Sequence, residues 1–337
     1  MNRTPKILVV GSFVMDLIVS TGKFPNAGET VLGSSFRTAP GGKGANQAVQ
    51  AARVGADVTM IGKVGQDDFG RSLIDSCKEA GIHTEYVRTD PTGSSAVGNV
   101  QLEVKDKETK NRIIVVPGAN MTIIPEDVAF LKDTIDRYDM VILQLEIPME
   151  INEIIAQYAY DKGVPVMLNS APSAPLSSEL LSRLAYISPN EHEACDLTGI
   201  QIRKQGKTVN REDVKAAVNA LLDKGVQNVI ITLGSAGAVV ANRNEFVYQP
   251  CADVVDVLDP TAAGDSFIGA FTTAVCSGLN HGDALTFANY TAALTVSRMG
   301  AQPSLPNLCE VAELIKKEDH SGFDLSLLGG LKGIGKE

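Results

Sequence analysis

Short apolar runs alternate along the chain with stretches in which apolar residues recur at helical spacing. The first run, KILVVGSFVMDLIV, opens with β-branched residues and no polar alternation, the pattern of a strand buried on both faces. After GGKGA, the segment NQAVQAARVG has helical spacing and stops at Gly55. DVTMIGKVG then predicts a strand, and FGRSLIDSCKEAG a helix closed by Gly81. The alternation continues through YDMVILQLE, INEIIAQYAYDKG, VPVMLNSAP, AYISPNE, VKAAVNALLDKG and VQNVIITLG. This order implies βαβ units: an α/β fold with a central, mainly parallel sheet flanked by helices on both faces.

Two regions break the rhythm. Residues from about 17 to 38 (LIVSTGKFPNAGETVLGSSFRT) and 98 to 117 (GNVQLEVKDKETKNRIIVVP) look like extended chain punctuated by turns, with KDKETKN joining the two halves of the second as a hairpin. Such strands inserted in an α/β chain predict a small second sheet, serving as a lid over the strand ends, a dimer contact, or both. No internal repeat and no linker divides the chain, so residues 1–337 are expected to form one domain. The Gly-rich, weakly patterned segment 317–337 is expected to be flexible.

Composition narrows the function. With 44% hydrophobic and 21% charged residues, a chain of 337 residues can bury a substantial core. A formal net charge of −10 argues against nucleic-acid or anionic-membrane partners, which want a basic face. It leaves room for a local anion site built from backbone N–H groups. The apolar run near the N-terminus is too short for a signal peptide, and nothing approaches the roughly 20 apolar residues of a membrane span. Five scattered cysteines (Cys77, Cys195, Cys251, Cys276, Cys309) without a CxxC pair suit a reduced intracellular protein, as small buried hydrophobes. The expected location is cytoplasmic, with nuclear entry left open.

In an open parallel sheet, ligands bind beyond the carboxyl ends of the strands. Asp16, the GGKGAN loop, Glu146, Asn190, Thr232 and Asp265 all fall at such places. Gly41, Gly42 and Gly44 let the backbone approach a ligand, and the Asn46 amide can meet hydroxyl groups; the plain alternative is a glycine turn with Asn46 as N-cap. The Walker spacing is absent. Glu146, at the end of the apolar VILQL, is either solvated at the strand mouth or engaged with a ligand. Asn190 and Glu193 stand at i, i+3 and suit outer-sphere magnesium work, or simply cap a helix. TLGSAGA, residues 232–238, offers a small-residue loop for a nucleotide's phosphates or ribose.

The stretch DPTAAGDSF carries the sharpest signal. Ala262, Ala263 and Gly264 strip side chains from the approach to a helix N-terminus, whose first N–H groups make an anion site. Asp265 stands beside it, either as an ordinary first-turn acid or as a base able to take a proton from an attacking hydroxyl. The four histidines have no metal-site spacing, and no nucleophile elbow is present.

GGKGANQAVQAARVGADVTMIGKVGQDDFG and DPTAAGDSFIGAF resemble the two signatures of the ribokinase-like (PfkB) carbohydrate kinases, and the resemblance runs from VVGSFVMD to RMGAQPS. It implies the ribokinase-like fold, with the two extended insertions as a β-sheet lid whose sheets pair across a homodimer. It also implies phosphorylation of D-ribose on its 5-hydroxyl by MgATP. Asp265 would then be the catalytic base, and Ala262, Ala263 and Gly264 the anion hole for the γ-phosphoryl group. Asp16, Gly42, Lys43, Asn46 and Glu146 would hold the sugar together with Asp265. Asn190, Thr232, Gly234, Ser235, Gly237, Gly264 and Asn289 would line the nucleotide site, with Glu193 placing Mg2+ through water. A monovalent activator, usually K+, would sit at Asp259, Thr261, Thr295, Arg298, Gly300 and Ser304, several through backbone carbonyls. The chain departs from the pattern at Val14, where many members carry Asn, which predicts one sugar-facing hydrogen bond fewer. It departs again at Asn289, where some carry His. A kinase for another small sugar or a nucleoside is the first alternative, and a non-catalytic sugar or nucleotide sensor the second. The intact Asp265 speaks against the sensor.

Overall fold

Alternate residues of the Lys6–Val10 strand belong to two separate cores: Ile7 and Val9 pack on one side, Leu8 and Val10 on the other, all fully buried. A strand covered twice has no place for polar alternation, which is why it reads as a continuous apolar run. The computed structural model describes residues 3–105, 108–318, 323, 328 and 331. In it this strand lies in a sheet of eight, ordered Phe246–Gln249, Ala238–Ala241, Asn228–Thr232, Tyr186–Ile187, Val166–Leu168, Met140–Leu143, Lys6–Val10 and Asp57–Ile61. The six strands from Asn228–Thr232 to Asp57–Ile61 run parallel, and the other two form an antiparallel edge. Helices Lys43–Arg53, Ala263–Cys276 and His281–Val296 feed the core on one face, and Met149–Lys162 and Arg211–Asp223 the core on the other. The α/β expectation is met.

The second sheet has four strands, ordered Gly33–Gly41, Val14–Thr21, Val97–Lys105 and Glu108–Val116. Its central pair is parallel and both outer pairs are antiparallel. The strands reach beyond the expected bounds, and pairing of Lys105 with Glu108 carries the ladder into KDKETKN. Most of the tail expected to be flexible lies outside the described residues. Phe323, Leu328 and Leu331 are described, and all three are buried in the first core. Of the five cysteines only Cys77 is buried, while Cys251 and Cys309 are exposed, so the expectation of buried thiols fails for most of them. No helix among the described residues is long and apolar enough to cross a membrane.

GGKGAN is not a loop. The helix already runs from Lys43, with Gly42 at its N-cap in a positive-φ conformation (φ 94°), so Asn46 lies inside the first turn and caps nothing. The glycines also serve a nearer neighbour than a ligand. A methyl on Gly44 would stand 2.5 Å from the Ser12 nitrogen, and one on Gly42 2.7 Å from the Val14 nitrogen. The small residues therefore let the helix start press against residues 11–14, the hinge between the two sheets.

Gly44→Ala sets two effects against each other. Helix propensity alone would favour alanine by about 1 kcal/mol. Collision with backbone that cannot rotate away costs about 1–3 kcal/mol on top of losing that gain. We expect net destabilisation in urea unfolding; a variant more stable than the parent would show that this contact yields.

Candidate active site

Two helix N-termini meet at the mouth of the parallel strands. The Lys43–Arg53 and Ala263–Cys276 helices cross so closely at Gly269 that a methyl there would lie 2.7 Å from the Gln47 carbonyl oxygen. One turn earlier on the second helix is Asp265, which is 7% exposed. Its carboxylate does not cap its own helix, whose N-cap is Ala262 with no side-chain bond. Instead Asn46 Nδ2 donates to Oδ2 and Gln47 Nε2 to Oδ1, both at 2.9 Å. Ala262 holds φ 61°, a left-handed conformation that costs a non-glycine residue on the order of 1 kcal/mol. That turn leaves the first-turn N–H groups without a side-chain partner, and a methyl on Gly264 would meet only open space. The result is an uncapped helix N-terminus with a buried carboxylate beside it, the arrangement the sequence suggested.

A cavity of about 670 Å³ opens in front of this helix end, a size usual for small-molecule sites. Lys43, Asn190, Glu193, Thr232, Gly234, Ser235, Gly237, Ala262, Ala263, Gly264, Asp265 and Asn289 line it, so every residue expected around the nucleotide is gathered there. Asn190 and Glu193 also form a complete capping box: Asn190 Oδ1 accepts from the Glu193 N–H at 2.9 Å, and Glu193 Oε2 accepts from the Asn190 N–H at 2.9 Å. The plain reading of that pair is therefore realised together with its place in the cavity. Burial first, then nearby acids, holds the Glu193 carboxyl above its usual range despite the cap and Lys43. The Asn289 amide donates to the Pro250 carbonyl at 3.3 Å. Sequence reasoning missed Gln47, Asn169, Lys207, Cys251 and Asp253. Lys207 and Asp253, an ion pair at the rim, have no motif to mark them.

The residues expected at the sugar lie deeper, between the two sheets. Glu146 is half-buried and engaged by the protein itself: Lys43 N donates to its Oε2 at 3.0 Å, and Ser12 Oγ donates to the same oxygen. It thus caps the first helix from the segment that follows the Met140–Leu143 strand, which explains how Gly42 can stand at the N-cap with no side chain. The Asp16 carboxylate is wedged between Gly41 and Gly98, and no described residue donates to it. Asn46 Oδ1 is likewise buried without a donor. Two acceptors wait there for hydroxyl groups. Val14, buried at 6%, offers them none. Burial opposes the charge on Lys43, but Asp265, Glu146 and Glu193 outweigh it and hold the ammonium above its usual value.

Behind the helix end, Asp259 closes its own turn. Oδ1 accepts from Thr261 N at 2.9 Å and from Thr261 Oγ1 at 2.6 Å, and Oδ2 accepts from Gly300 N at 2.9 Å. The Val296 carbonyl accepts from the N–H groups of Leu258 and Asp259, bringing Thr295 and Arg298 alongside. The Arg298 guanidinium turns away to Glu310 at 2.7 Å, and Ser304 Oγ donates to the Ala301 carbonyl at 2.7 Å. Among the described residues, no group of three or more His, Cys, Asp or Glu could hold a metal ion.

The profile of the pfkB family carbohydrate kinases matches residues 4–308. The chain is 38% identical to a ribokinase of Bacillus subtilis over 309 residues, covering 92% of this chain and 99% of that protein. It is 40% identical to a ribokinase of Schizosaccharomyces pombe over 312 residues, covering 90% and 96%. The solved structure of Arabidopsis thaliana ribokinase complexed with ribose and ATP superposes with a TM-score of 0.84 at 32% identity, covering 93% of this chain and 99% of that one.

Asp16 offers a test that needs no substrate. Its carboxyl is pushed up to about 6 by burial and then by Glu146, from an ordinary 3.8. The folded chain thus holds this proton more tightly than the unfolded one, so stability falls as pH rises through that interval and the full cost stands above it. Asp16→Asn should gain on the order of 1–2 kcal/mol at about pH 7.5 and nothing near pH 4. Denaturant unfolding at both pH values checks this, and an equal gain at both would remove the cause assigned.

Proposed function

The chain belongs to the pfkB family of carbohydrate kinases, and we propose that it transfers the γ-phosphoryl group of ATP to the 5-hydroxyl of D-ribose, giving ribose 5-phosphate and ADP. The observation that carries this reading is Asp265, held by Asn46 and Gln47 where the deep polar site meets the cavity before the helix end. The sugar enters between the sheets, where Asp16 and Asn46 Oδ1 need hydroxyl donors, and Gly42, Lys43 and Glu146 border the same space. ATP fills the cavity, its γ-phosphate at the N–H groups of residues 263–265. The sugar's 5-oxygen attacks the γ-phosphorus as the bond from that phosphorus to the β,γ-bridging oxygen breaks. Asp265 takes the hydroxyl proton, ADP leaves with the electron pair, and the helix end and Lys43 offset the charge in transit.

An ATP-dependent kinase works with a divalent metal. The donors here fit Mg2+ brought in on the nucleotide and held through water: Glu193 is an oxygen donor in the cavity wall, and no three-ligand cluster stands among the described residues. Such an ion would draw charge from the phosphates. The Asp259 turn suits a hard monovalent cation, because the Asp259 carboxylate and the Thr261 hydroxyl meet there beside Gly300, with Thr295, Arg298, Gly300 and Ser304 assigned to complete the site, several through backbone carbonyls. K+ there would stiffen the Ala262 turn.

The second sheet serves both sides of this reading. Ile113, Ile114, Val115 and Val116 point alternately to its two faces, yet all are 48–65% exposed. A bare sheet with apolar residues on both faces wants two covers. We assign one face to the sugar pocket and the other to a second copy of the chain, as a homodimer. A lid of this kind keeps water from ATP until sugar arrives.

In a coupled ADP-release assay over ribose, deoxyribose, fructose and adenosine, ribose should give the highest kcat/KM. Asp265→Asn should lose at least about a hundredfold in kcat while ATP still binds by calorimetry; substantial turnover would remove Asp265 as base. Replacing Na+ by K+ should raise the rate severalfold, and identical rates would sink the cation assignment.

A further inference from the structure

We infer that Gln47 is a positioning residue for Asp265: its amide, held on one side by Asn169 and on the other by Gln144, fixes the carboxylate that accepts the sugar's proton. This deepens the proposed function and rests on Asp265 being the base. Gln47 is fully buried, and both ends of its amide are engaged. Nε2 donates to Asp265 Oδ1 at 2.9 Å and to Asn169 Oδ1 at 3.2 Å, while Oε1 accepts from Gln144 Nε2 at 2.8 Å. Asn169 is held in turn, its Nδ2 donating to the Ser188 carbonyl at 2.9 Å; Asn152 Nδ2 donates to the main-chain carbonyl of Gln144 at 2.9 Å, and the Gln144 Oε1 is buried without a donor.

An amide has two ends of opposite sense. Turned over, Gln47 would set its oxygen against the oxygens of Asp265 and Asn169, and its NH2 against the NH2 of Gln144. The network therefore admits one orientation, and a carboxylate that meets an N–H in that orientation loses the bond if it rotates. Asn46 holds the other carboxylate oxygen, but its own Oδ1 faces the site unpartnered, so it also answers to the sugar. Gln47 faces only the protein. Removing a hydrogen-bond donor from a carboxylate disfavours its ionised form, so a pH profile of the variant reads this contact.

The test uses the full chain and Gln47→Met, which keeps the volume and removes the amide. We expect kcat for ribose to fall about tenfold or more, KM for ribose and ATP to stay within about twofold, and the acid limb of the kcat profile to move to higher pH. Gln144→Met, which touches neither Asp265 nor substrate, should shift the same limb in the same direction by less. Retained kcat, or a fall in kcat with the acid limb unmoved, overturns the assignment. Should Gln47→Met fail to fold, the Gln144→Met profile decides on the same criteria. Failure of the underlying reading looks different: the parent enzyme does not act on ribose, or Asp265→Asn retains turnover. Infrared difference titration of the Asp265 carboxyl, identified against Asp265→Asn, then still decides, since Gln47→Met must raise its titration midpoint.

Discussion

A buried carboxylate must find donors, and here one carboxylate finds them at the far end of the chain. Asp265 is bonded by Asn46 and Gln47, which precede it by 219 and 218 residues. That demand fixes much else. The two helices must start side by side, which needs Gly269 at their crossing and the left-handed turn at Ala262. The first helix must start hard against residues 11–14, which needs Gly42 and Gly44. Its exposed N-terminus must be satisfied from elsewhere, which brings in Glu146 and Ser12. Leaving a charge at that depth unpaired would cost several kcal/mol, so these features stand or fall together.

The same requirement explains what could be read along the chain and what could not. The α/β class was legible because burial on two faces writes itself into consecutive apolar residues, as in KILVV, and the second sheet because its strands break that pattern. Asp265 stood out because its neighbours are smaller than a cap requires. Gln47 did not, although it follows Asn46 directly, because a polar residue on a helix reads as solvent-facing until the partner helix is known. The bond from Glu146 to the start of a helix 103 residues away is hidden for a related reason. The glycines of GGKGAN read as space for a ligand, and two of them also make space for backbone, which no local pattern announces. Local pattern records burial and turns; contacts between distant segments leave no period in the sequence.

Charge gives the clearest case of a global property that is silent about a site. The chain carries a net −10, and three carboxylates, Asp265, Glu146 and Glu193, crowd Lys43, yet the proposed substrate is a polyanion. The conflict is resolved by distance. The Debye length at physiological salt is about 8 Å, so acids on the outer surface contribute little inside the cavity. There the field comes from the uncapped end of the Ala263–Cys276 helix, equivalent to about half a positive charge, and from the Lys43 ammonium, which those same acids keep charged. The acids around Lys43 therefore do not merely oppose ATP. They secure the cation that meets it. An acidic protein can thus meet a triphosphate through one basic point and one helix end, both inside a pocket.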